Sequence, residues 1–92
     1  MNVKEIKRYF YENKPRLLSQ MQKICPEANI IDIEIGGSIK RGTQRPDSDI
    51  DIEVHYTNNV NEKDIWYHLI GKFGGYGGDY DIVPVKINLK GK

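Results

Sequence analysis

Cysteine is almost missing from the chain: Cys25 is alone among 92 residues. An internal disulfide is therefore excluded, and no cysteine-based zinc site is expected to form. Cys25 reads as a small apolar filler near a helix end. No apolar run is long enough to suggest a membrane span. The opening stretch, residues 1–10, mixes acidic and basic residues and lacks the apolar core of a secretory signal. These absences fit a cytoplasmic protein. A charge bias is missing too, with 14 basic against 13 acidic residues and a formal net charge of +1. Sequence-independent nucleic-acid binding calls for a strongly basic face, which this composition does not provide. There is no repeat and no low-complexity linker. The length suits one domain, residues 1–92. A domain of that size buries only roughly 60–65% of its unfolded surface, so a partner or a dimer would help it.

What is present is a clear alternation of elements. Asn2 and Glu5 resemble a capping box, with Ile6, Tyr9 and Phe10 at helical spacing after them, predicting a helix from Asn2 to Glu12. Pro15 is placed in the first turn of a second helix, which carries Leu17, Leu18, Met21 and Ile24 on one face and ends before Pro26. From Asn29 to Ile35 the residues alternate, Ile31, Ile33 and Ile35 against Asp32 and Glu34, as in a half-buried strand. Gly36 and Gly37 end it, and Ser38 opens a short helical or turn segment. From Asp49 to Tyr56, Ile50, Ile52 and Val54 oppose Asp49, Asp51, Glu53 and His55. Asn61 caps a third helix reaching about Phe73, with Ile65, Trp66, Leu69, Ile70 and Phe73 as its core stripe. Gly74, Gly75, Gly77 and Gly78 close it, and a last strand runs from about Tyr80 to Leu89. The expected fold is α+β: a small three-stranded sheet with helices on one face and acidic residues on the other.

Lining up carboxylates on an open sheet face is repulsive, and a bound cation is the obvious compensation. Asp49 and Asp51, two apart on a strand, point the same way. Mg²⁺ in phosphoryl-transfer sites takes one or two carboxylates plus substrate phosphates. Two such ions about 3.5–4 Å apart can clamp the attacking and leaving oxygens. Asp81 is the best candidate for a third carboxylate, with Asp79 next. Gly37 allows close backbone approach to a phosphate, and the turn opened by Ser38 offers free N–H groups to an anion. Lys40, Arg41 and Arg45 are placed to neutralise triphosphate charge.

Gly37-Ser38, ten residues, then Asp49-Ile50-Asp51, then Tyr80-Asp81-Ile82 resembles the signature of the polymerase-β-like nucleotidyltransferase superfamily. Gly37-Ser38-Ile39-Lys40-Arg41-Gly42 followed by Pro46-Asp47-Ser48-Asp49-Ile50-Asp51 is similar to its minimal nucleotidyltransferase (MNT) subfamily, as is Glu12-Asn13-Lys14-Pro15. Two positions depart from that pattern: Gly36 stands where an aromatic residue is frequent, and Glu53 where an aliphatic one is usual. The resemblance implies the polymerase-β-like fold with a mixed sheet, and metal-dependent transfer of a nucleotide, usually AMP from ATP, to an acceptor hydroxyl. It implies Asp49, Asp51 and Asp81 at Mg²⁺, and Gly37 and Ser38 at the nucleotide phosphates. Many members are antitoxins paired with a HEPN toxin, a helical RNase, and some adenylylate a tyrosine on it.

Other features read more plainly. Glu53 flanks the acidic site, and His55 and His68 have surface or packing roles. The glycine-rich loop lacks the ending of a phosphate loop and serves as a connector. If Asp81 faces the acidic side, alternation puts Val83, Val85 and Ile87 there too, with Pro84 marking an edge strand or bulge: either a bulge turns them inward, or they form an apolar patch, which is expected to be covered by a second chain.

Overall fold

The computed structural model describes residues 3–36, 50–70 and 80–88. Two helices, α1 (Val3–Ile24) and α2 (Glu62–Leu69), accompany three strands, β1 (Ile30–Gly36), β2 (Ile50–Tyr56) and β3 (Tyr80–Lys86). The strand order is β1-β2-β3, with β1 antiparallel to β2 and β2 parallel to β3. The sheet is thus mixed, and α2 provides the crossover that a parallel pair requires.

The two expected N-terminal helices are one. α1 runs through Pro15 without a break. Proline removes one backbone donor and crowds the preceding turn, yet Pro15 lies on the exposed side. On the other side Ile6, Phe10, Leu17 and Met21 form one continuous buried stripe. Burial on both sides of the proline outweighs the local defect. Ile24, expected on that stripe, is exposed.

Ile33 and Ile35 are buried as the alternation requires, but Ile31 is exposed and Ile30 is buried in its place. The pairing with β2 shifts between Ile30 and Asp32, and the bulge turns the face by one residue. On α2, Asn61 is the N-cap and accepts a hydrogen bond from the Lys63 N–H at 2.9 Å. This helix closes at Leu69, where the Ile70 N–H returns to the Trp66 carbonyl. It therefore ends short of the expected Phe73, because Ile70 is already extended; the glycine-rich segment and the short helix expected at Ser38 lie outside the described residues. β3 ends at Lys86 rather than near Leu89.

Both helices share one core with the inner sheet face. Ile6, Phe10, Leu17 and Met21 from α1 and Ile65 and Leu69 from α2 join Ile33, Ile35, Ile52, Val54, Tyr56 and Ile82. The opposite face carries Asp32 and Glu34 on β1, Asp51, Glu53 and His55 on β2, and Asp81 on β3, all partly exposed.

Candidate active site on the open sheet face

The carboxylates of the open face fall into two groups. On β1, Lys14 reaches from α1 to both Asp32 Oδ1 at 3.0 Å and Glu34 Oε2 at 2.8 Å. The Tyr11 hydroxyl donates to Glu34 Oε1 at 3.0 Å. Lys14 and Tyr11 hold the Glu34 carboxyl below its usual range against the effect of burial, with the Lys14 hydrogen bond the largest cause. Burial opposes the Asp32 charge, but Lys14 and the Ile33 N–H outweigh it and leave its pKa lowered. On β2, Glu53 Oε1 lies 3.1 Å from His55 Nε2. Asp32 and Glu34 thus share the Lys14 ammonium, and Glu53 has an imidazole beside it.

The other group is Asp51 and Asp81. They are register partners on the parallel strands β2 and β3, which places the residues side by side at the roughly 4.8 Å strand spacing. Ile52 and Ile82, the next pair, are buried beneath them. Asp81 is held in place: its Oδ1 accepts from Trp66 Nε1 and from the Ile82 N–H, each at 2.9 Å. Trp66 was expected in the core of α2, but it is 38% exposed and spends its indole N–H on Asp81. A tryptophan keeps a polar N–H that seeks an acceptor, and that is the one signal in the sequence that distinguishes it from Ile65 and Leu69. Asp49, Gly37, Ser38, Arg41 and Arg45 lie outside the described residues, as does the alternative Asp79.

A family model described as nucleotidyltransferase domain matches residues 16–90. The chain belongs to that family. It is a minimal nucleotidyltransferase domain of the polymerase-β-like superfamily, and its mixed sheet backed by helices is consistent with that fold. Neither the curated proteins nor the solved structures contain a significant match. For this nucleotidyltransferase, the reaction is the transfer of a nucleotidyl group from a nucleoside triphosphate. A divalent metal is the usual helper in such transfers, and the donor set on β2 and β3 fits a hard cation. Two carboxylates at one register offer only oxygen, the ligand type that Mg²⁺ takes.

On β3, Val83 is exposed beside Asp81, while Val85 and Ile87 are half-buried. The strand is an edge of the sheet and carries Pro84, in keeping with the place expected for that proline.

Proposed function

We infer that the domain transfers AMP from ATP to an acceptor hydroxyl in a Mg²⁺-dependent reaction, with Asp49, Asp51 and Asp81 as the metal-holding carboxylates. The observation that carries this reading is the shared register of Asp51 and Asp81 on adjacent parallel strands of a nucleotidyltransferase domain. Bound there, Mg²⁺ would supply charge neutralisation for the triphosphate and the departing pyrophosphate. The chain's own work is alignment. Gly37 and Ser38 offer backbone N–H groups to the phosphates, and Arg41 and Arg45 neutralise their outer oxygens. Asp81, oriented by Trp66, accepts the proton of the acceptor hydroxyl or fixes its direction.

Calorimetric titration of ATP with and without Mg²⁺ tests this. Wild type is expected to bind in a Mg²⁺-dependent way, and the Asp49→Asn/Asp51→Asn variant to lose that binding while keeping its circular dichroism. Binding that survives both substitutions overturns the assignment.

A second reading is favoured by Val83, an aliphatic side chain exposed on an edge strand next to the site. In it the domain is the antitoxin of a pair with a HEPN-type toxin, or associates with a second copy of itself, and acts chiefly by docking. Neutralisation of such a toxin that is unchanged in the Asp49→Asn/Asp51→Asn variant but lost in Val83→Asp selects this reading.

A further inference from the structure

We propose that Cys25, Glu27 and His68 form a binding site for Zn²⁺ or a related borderline divalent ion, separate from the acidic face. The three donor atoms lie within 4.8 Å of one another, and among the described residues they make up the cluster of three potential metal ligands. His68 Nδ1 is 2.9 Å from Glu27 Oε2 and 4.0 Å from Cys25 Sγ. Around a tetrahedral zinc, with Zn–S about 2.3 Å and Zn–N or Zn–O about 2.0–2.2 Å, neighbouring donors sit roughly 3.3–3.7 Å apart. One separation is slightly long and another slightly short. His68 and Glu27 are half and two-fifths exposed, so both side chains are free to adjust.

The backbone beneath them is fixed. The Cys25 N–H caps the end of α1 on the Met21 carbonyl, and the Ala28 N–H returns to the Cys25 carbonyl. The Gln22 side chain spans the turn, donating to the carbonyls of Cys25 and Ala28 and accepting from the Ile30 N–H. Asn58 Nδ2 holds the Glu27 carbonyl at 2.8 Å. Two ligands are thus presented by a clamped turn and the third by α2, a supported arrangement of the kind a metal site needs.

The donor set selects the ion. A thiolate, an imidazole and a carboxylate suit zinc and its neighbours, whereas Mg²⁺ seeks oxygen. The site is therefore chemically distinct from the Asp51–Asp81 pair. It also lies on another side of α2, since His68 is two residues, roughly 200° around the helix, from Trp66. The expectation that a single cysteine forbids a zinc site considered cysteines alone; folding brings in a histidine 43 positions away. Binding exchanges one proton for the ion: the Cys25 thiol gives its proton to solvent as the sulfur–metal bond forms, and His68 binds as neutral imidazole with its proton on Nε2. The Glu27–His68 hydrogen bond is given up in the exchange. With His68 and Glu27 partly exposed, the fourth position is open to water. The bound ion staples the end of α1 to α2.

The test is a Co²⁺ titration of the reduced, purified chain, followed by Zn²⁺ competition and thermal melting in Zn²⁺. A near-ultraviolet sulfur-to-cobalt charge-transfer band is expected at one ion per chain, displaced by Zn²⁺, with a raised melting temperature in Zn²⁺. Because the chain has one cysteine, the band reports Cys25, and an oxygen-only site cannot produce it. It should persist in Asp51→Asn and vanish in Cys25→Ser. Cys25 is fully buried and its replacement can disturb folding, so His68→Ala and Glu27→Gln provide the second measure. Each should weaken Co²⁺ binding at least about tenfold, the lower bound for loss of even an outer-shell partner. Absence of the band at saturating Co²⁺, or undiminished affinity in both of those variants, overturns the proposal.

Discussion

Gly36 and Glu53 depart together from the pattern of the MNT subfamily, and they touch. A Cβ on Gly36 would stand 2.6 Å from Glu53 Oε2 and 3.0 Å from its Cγ, so Glu53 occupies the space that a side chain at position 36 would need. The pair is a local exchange of volume between neighbouring strands. Because the Glu53 side chain is flexible and partly exposed, Gly36→Ala should cost only about 0.5–1.5 kcal/mol, the scale of pushing a side chain off its rotamer, and Glu53→Ala should remove most of that penalty. Urea melts of the two single variants and the double variant measure the coupling. At this same scale Asp51 and Asp81 were legible, since alternation around hydrophobic residues fixes which way each points. Trp66 was not, because helical spacing marks a position as inward without saying that an indole N–H has an acceptor nearby. As the only tryptophan in the chain, Trp66 also serves as a probe. Mg²⁺ and ATP together should change its emission, and Asp81→Asn should suppress the change.

Between elements, Lys14 is the principal polar tie of α1 to β1. Burial alone would lower the Lys14 pKa, but its bonds to Glu34 and Asp32 raise it, while both carboxyls are lowered. The depressed acids contribute stability above their unfolded pKa values and lose it as pH falls through the folded ones. The Lys14 contribution is full below its unfolded pKa and is lost only as pH rises through its higher folded value. Lys14→Met should therefore cost about 0.5–1 kcal/mol at neutral pH, discounted for partial exposure. It should also flatten the acid limb of a plot of melting temperature against pH between about pH 5 and about pH 2. An equal acid limb in both proteins would show that Lys14 is not the source. The helices were legible in outline only. Pro15 signals a boundary by local chemistry, and the stripe from Ile6 to Met21 overrides it by burial that no local window contains. The bulge at Ile30 and Asp32 was hidden for a similar reason, because three isoleucines at alternate positions satisfy periodicity whether or not the partner strand keeps register.

For the molecule as a whole, the three strands, the helices on one side and the polar opposite face could all be read from periodicity. Strand order and direction could not, since they depend on how α2 carries the chain from β2 to β3. With β2 in the middle, β1 and β3 are the outer strands, and each is finished in the same way. Asp32 Oδ1 takes the N–H of Ile33, and Asp81 Oδ1 takes the N–H of Ile82. On β3 the Ile87 N–H points inward to the Tyr56 carbonyl, so the N–H positions of residues 82, 84 and 86 point outward. The first is occupied by Asp81 and the second is a proline with nothing to donate. On β1 the bulge further interrupts the row. Exposed strand edges invite other chains to add on as extra strands. At Ile33, Ile82 and Pro84 these outer strands present no free backbone donor, so strand addition would lack its first hydrogen bonds at those three positions, and a partner docking there would depend more on side chains.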